Sequence, residues 1–183
     1  MDSYLIRVIK QFEYYKSLGD KTFEQLTFLE LKKEFAEDSN SIAIIVKHMV
    51  GNMISRWTNF LIEDGEKEWR HRDLEFEDTY NSKEELITNW NSGWKCFFDA
   101  LKPLNDSDLG HVIYIRNQEH TVTEAINRQL AHYPYHIGQI VFLGKLIKGK
   151  NWKSLSIPKG GSLKFNEEKF SKEKDRHHSK DDV

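Results

Sequence analysis

Apolar residues recur at the three-to-four-residue spacing of an α-helix through four long stretches, and this periodicity constrains the fold more than any other feature. The first stretch runs from about Asp2 to Leu29, with Leu5, Val8, Ile9, Phe12, Tyr14 and Tyr15 at helical spacing. Gly19 is a candidate break within it, because glycine costs about 1 kcal/mol in a helix interior. The second starts at Ser39-Asn40-Ser41, all good N-cap residues, and continues to about Ile62. The third opens on Ser82-Lys83-Glu84-Glu85, a capping box, and ends at Leu101 before Pro103. The fourth runs from Thr121 or Val122 to Ile147 and is closed by Gly149.

The connections differ in kind. Glu63 to Asn81 is a long charged stretch that can cross the end of a bundle. Between the third and fourth helices, Val112 to Ile115, then Arg116 to Glu119, then His120 to Val122, suggest a short hairpin. Four helices with one long crossover describe an all-α four-helix bundle with a long crossover between helices 2 and 3 and a short hairpin before helix 4. No internal repeat is visible. A chain of 183 residues suits one domain, here 1–165, and the nearly all-charged segment 166–183 is expected to be a disordered tail.

Charge and composition exclude several functions. Lys plus Arg total 27 against 29 Asp plus Glu, so there is no basic footprint for nucleic acid and no polybasic membrane patch. An aromatic share of 13% means that large rings should fill much of the core. The single cysteine, Cys96 within Trp94-Lys95-Cys96-Phe97-Phe98, allows no intrachain disulfide and reads as a buried small apolar residue. Met1 to Lys10 lacks the apolar core of a signal peptide, and no apolar run approaches the roughly 20 residues that span a bilayer. A soluble, cytoplasmic protein is expected.

The strongest chemical signal is His132-Tyr133-Pro134-Tyr135-His136. Residues at i and i+4 stack one turn apart, about 40° apart around the helix, so two imidazoles there can chelate one ion. Ala125, Gln129, Gln139 and Leu143 share their sector, which borders the apolar stripe of Ile126, Leu130, Tyr133, Ile137, Ile140 and Val141. The pair therefore faces the core or its edge. A chance pairing accounts for the same spacing, and Pro134 is either a simple kink or a local fault tolerated because a metal fixes the geometry. His48 follows the wholly apolar run Ile42 to Val46, where an imidazole needs a polar partner or a metal. On the helical wheel, however, it groups with Ser41, Asn52, Ser55 and Asn59, the signature of an ordinary edge histidine. His71, His111, His120, His177 and His178 read as structural or solvated.

Several longer motifs carry a resemblance. Ser39 to Ala43, Lys47-His48-Met49 with Gly51-Asn52-Met53, Ser55-Arg56-Trp57 and Asp64-Gly65-Glu66 are similar to the DinB-like (YfiT-like) metalloenzyme superfamily, and within it to a bacterial subfamily of unknown function. The similarity continues through Arg70 to Asp73, Tyr114-Ile115-Arg116, Arg128 to His132 and His136 to Ile140, and ends near Leu155 to Pro158. It implies an up-down-down-up four-helix bundle, a homodimer, and a divalent-metal site with one histidine from the second helix and two from the fourth. Those ligands fall on His48, His132 and His136. Better-characterised relatives include transferases and isomerases that use low-molecular-weight bacterial thiols. Pro134 between the last two ligands departs from the usual pattern.

Three neutral imidazoles leave open coordination positions, and an all-nitrogen donor set suits nickel or zinc better than magnesium or calcium. A thiol S-transferase acting on small molecules is the first reading. A metal-dependent hydrolase is the second, although neither ligand helix places a carboxylate one turn from a ligand. A non-enzymatic dimeric stress-related binding module with a stabilising metal is the third, and in it Ile42 to Val46 could serve as the dimer face. Asn52, Arg56, Arg128, Gln129 and Gln139 surround the ligand positions and are the candidate substrate-binding residues.

Overall fold

In the computed structural model, which describes residues 3–174, the chain is mostly helical with one two-stranded hairpin. Helix α1 (Tyr4–Glu24) is capped by the Ser3 side chain, which accepts from the Ile6 amide. Gly19 does not break it. A Cβ at Gly19 would sit 2.6 Å from the Trp90 ring, so the glycine makes room for that indole, whose Nε1–H donates to Asp20 at 2.8 Å. The first helix ends at Glu24 and not at Leu29, because Thr27 and Glu30 form a capping box that starts a separate short helix, α2 (Phe28–Leu31).

Helix α3 (Ile42–Trp57) begins after the Ser41 cap and stops five residues before the expected Ile62. Thr58 is already extended, and Asn59 takes φ +51°, a left-handed position that asparagine tolerates better than most residues. Ile42 to Val46 are buried in the chain's own core. The charged crossover contains a 3-10 turn, Arg72–Phe76, that packs on α3. Helix α4 (Lys83–Leu101) is capped by Ser82 and ends before Pro103, as its sequence signals predict.

The expected hairpin forms. Strands β1 (Val112–Ile115) and β2 (Gln118–Thr121) pair antiparallel with Val112 opposite Thr121. Arg116 and Asn117, at φ +54° and +59°, make the two-residue turn whose twist suits a tight hairpin. Asp64 ties this turn to the segment after α3, accepting from the amides of Arg116 and Asn117 at 2.8 Å each. Helix α5 (Val122–Lys148) follows, opened by a Thr121–Glu124 capping box and continuous through Pro134. Helix α6 (Ser162–Phe170) crosses the boundary expected at 165, and 175–183 of the expected tail lie outside the described residues.

Each of the four long helices packs on two others: α3 on α4 and α5, and α1 on α4 and α5. Aromatic rings fill the space between them. Phe12, Trp57, Trp94, Phe97 and Tyr133 are buried and meet edge to face, with centroids 4.5 Å apart for Phe12–Phe97 and 5.4 Å for Phe97–Tyr133. Tyr133 also fixes polar groups: its hydroxyl accepts from Trp57 Nε1 and donates to Asn52 Oδ1. The rotation of α5 is thereby set by the core, with the neighbouring His132 turned towards α3. Among the described residues, no helix is long and apolar enough to cross a membrane.

Candidate metal centre

His48 comes from α3, and His132 and His136 from successive turns of α5. One nitrogen from each lies within 4.8 Å of the other two. Ring centroids are 4.7 Å apart for His132–His136, 5.0 Å for His48–His136 and 5.7 Å for His48–His132. His48 is buried despite its edge position on the wheel, because the crossover folds over it: Phe76 stacks on its ring at 5.3 Å.

The far nitrogen of each ring meets an oxygen. His48 Nδ1 donates to Glu75 Oε2 at 2.9 Å, His132 Nδ1 to Gln129 Oε1 at 3.2 Å, and His136 Nδ1 to Gln139 Oε1 at 2.8 Å. Such acceptors fix the tautomer and leave the Nε2 lone pairs available. The Nε2 atoms of His132 and His136 then face each other at 3.0 Å. Two lone pairs at that distance repel unless a cation or proton lies between them. Nitrogens bound to one tetrahedral zinc at about 2.0–2.1 Å are about 3.3 Å apart, so the spacing of this pair is close to the one a shared divalent ion would impose. Burial pushes His132 down to about 3, helped by His136, His48 and two arginines, and burial also lowers His136. Both shifts favour the neutral ring, the form that can ligate a metal.

Glu75 is the residue that the sequence reading missed. It lies 27 positions from His48, in the charged stretch expected to cross the end of the bundle. Its carboxylate is fully engaged: Arg70 Nε donates to Oε1 at 2.7 Å and Arg70 Nη2 to Oε2 at 3.0 Å, besides the bond from His48. Burial would raise its pKa, but the bonds from His48 and Arg70 and the Arg70 charge outweigh this and hold it below the ordinary range. The one available signal was Gly51, a mid-helix glycine one turn from His48. A Cβ there would lie 2.7 Å from Glu75 Cδ, so only glycine lets the carboxylate come this close.

A cavity of about 220 Å³ opens beside the histidines. Of the residues expected around the ligand positions, Asn52, Arg56, Arg128 and Gln129 line it, joined by Arg70, Arg72 and Arg116 from the crossover and the hairpin turn. Gln139 is outside the lining and bonds His136 instead. Cys96 is half-buried beside Thr58 and takes no part. His120 bonds the Gln118 carbonyl, and neither it, His71 nor His111 joins the cluster. His177 and His178 lie outside the described residues.

Residues 1–161 match the family described as "Protein of unknown function (DUF1572)". No curated protein and no solved structure matches the chain.

Proposed function

The chain belongs to the DUF1572 family, and from that premise we propose that it is a metal-dependent enzyme of the DinB-like type, a thiol S-transferase acting on small molecules. The observation that supports this is the convergence of three imidazoles, each with its Nδ1 bonded to an oxygen and with one ring nitrogen within 4.8 Å of the other two. On this reading the ring of four long helices is an up-down-down-up bundle, and His48, His132 and His136 hold one divalent ion, nickel or zinc by the nitrogen donor set. Three protein ligands leave positions open for substrate. A bound ion there supplies Lewis acidity that favours the thiolate near neutral pH.

The protein's own groups do the positioning. Glu75, Gln129 and Gln139 orient the imidazoles, and Asn52, held by Tyr133, lines the cavity with Gln129. Glu75 is engaged on both oxygens and held ionised by Arg70, which makes it a poor proton acceptor. A hydrolase would need such an acceptor for its attacking water, and this favours thiol transfer. In net terms the thiol gives its proton to solvent and its sulfur bonds to carbon. The leaving group departs with the electron pair of the broken bond. A cytoplasmic homodimer completes the proposal.

Purified protein should contain about one nickel or zinc per chain by elemental analysis, and His48→Ala, His132→Ala and His136→Ala should each lower that content. Turnover of L-cysteine with monochlorobimane should require the metal and fall to background in the same variants. Turnover of an ester panel lost in His136→Ala would establish a hydrolase instead. Absence of any turnover, with only thermal stability lost on metal removal, would leave a binding module.

A further inference from the structure

The 220 Å³ cavity has an unusual wall: five of its lining residues are arginines and none is a carboxylate. Three of the five have evident partners. Arg70 is bonded to Glu75 and Glu66, Arg116 Nε donates to Glu66 at 3.2 Å, and Arg72 lies over the Phe76 ring at 5.2 Å. Arg128 has a weaker contact, Nη1 to His120 Nε2 at 3.4 Å. Two carboxylates, Glu66 and Glu75, bond into this group and both are already taken by Arg70, while Asp64, which also feels the Arg56 charge, is engaged by the amides of Glu66, Arg116 and Asn117.

Arg56 stands apart. It is 5% exposed, and its Nε and Nη1 are buried with no hydrogen-bond partner among the described residues. A guanidinium stays charged at any pH a folded protein meets, so it cannot shed this cost by deprotonation. Its position is nonetheless shaped for it. A Cβ at Gly65 would lie 2.9 Å from Arg56 Cδ and 3.1 Å from Nη1, so the backbone closes tightly on the side chain. Burial, and then the charges of Arg128 and Arg70, push its pKa down, against opposing contributions from Tyr133 and Glu66.

We propose that this cavity is an oxyanion subsite centred on Arg56, with Arg128, Arg72 and Arg116 on its rim, and that it takes a small molecule bearing a carboxylate or a phosphate. A cavity of this size suits a small acid whose other end reaches His48 and His132 in the same wall. A planar guanidinium binds either oxyanion in a two-pronged manner, and its fixed fork selects against neutral analogues. The claim that this acid is the substrate rests on the proposed reaction centre at the histidines. Anion binding itself does not.

The test uses the full chain as purified, and again after metal removal with a chelator. Thermal midpoints and titration calorimetry are measured with sodium phosphate and with succinate, against sodium chloride at matched ionic strength. The subsite predicts a saturable response at one site per chain to at least one of the two, with or without metal. A response to phosphate alone assigns a phosphate-bearing ligand, and one to succinate assigns an organic acid. Arg56→Met should raise the midpoint in buffer alone, because it removes the unpartnered charge, and should weaken the anion at least about thirtyfold. Should that variant not fold, the double variant Arg72→Ala/Arg116→Ala changes only exposed side chains and must weaken binding several-fold. No response to either anion in the wild type, or unchanged affinity in these variants, overturns the subsite. Metal content is measured in parallel: a wild type that purifies without metal, and takes up neither nickel nor zinc when these are added, yet binds the anion, sinks the proposed reaction centre and leaves the subsite standing.

Discussion

Gly51 sets two residue-scale effects against each other. Alanine is the better helix former by about 1 kcal/mol, so in the middle of α3 a Gly51→Ala change should stabilise. The carboxylate of Glu75 occupies the space where the new Cβ would go, and it is held there by Arg70 and His48. Either Glu75 moves off His48 or the crossover shifts. Both outcomes release the imidazole from its orienting partner, and loss of such a partner typically costs 10–100-fold in metal affinity. We expect Gly51→Ala to keep its helix content and lose affinity by that order in a competition titration against a chelator. Affinity equal to wild type would mean that Glu75 does not orient His48. The other two histidines differ. His132 and His136 could be paired by counting residues, because helical periodicity converts sequence spacing into spatial spacing. Glu75 reaches His48 through an irregular crossover, and no periodic rule places it there.

At the scale of elements, side-chain caps made most helix starts legible. Ser41, Ser82 and Thr121 each accept from an amide three residues on, where the sequence placed them. Two helix ends were not legible. The Thr27–Glu30 box looked like the interior of a longer helix, and the turn at Asn59 needs a left-handed residue that asparagine permits but does not announce. The hairpin was visible, but its attachment was not. Asp64 accepts from three amides, those of Glu66, Arg116 and Asn117, and so anchors the turn that carries Arg116 to the cavity. Partial burial raises the Asp64 pKa, and these bonds outweigh it, leaving the group below its ordinary value. The sign of the linkage follows: the folded state favours the ionised form, so the contribution is full above the unfolded pKa of about 3.9 and is lost as pH falls through the lower folded value. Asp64→Ala should therefore destabilise by about 1–2 kcal/mol at pH 7. It should also accelerate amide exchange at Arg116 and Asn117. The difference from wild type in denaturant unfolding should shrink in acid below that window, and a difference independent of pH would contradict the role given to the carboxylate.

For the molecule as a whole, the question is whether the core and the candidate metal centre are one unit. The Tyr133 ring lies against Phe12 of α1, Trp94 and Phe97 of α4 and, through its hydroxyl, Trp57 of α3. The same hydroxyl donates to Asn52 in the cavity wall, and the next residue back is His132. Tyr133→Phe keeps the ring and removes only the oxygen, so packing should survive. Trp57 Nε1 would lose its acceptor in a buried site and Asn52 Oδ1 its donor, a loss of about 1–3 kcal/mol. The denaturant slope should stay unchanged, since the same surface is exposed on unfolding. Metal content should stay at its wild-type value, because Glu75, Gln129 and Gln139 orient the imidazoles without using Tyr133. If the metal is lost along with stability, then the orientation of α5 depends on this hydroxyl, and the ligand geometry is a property of the aromatic core and not of the oxygen partners around the rings.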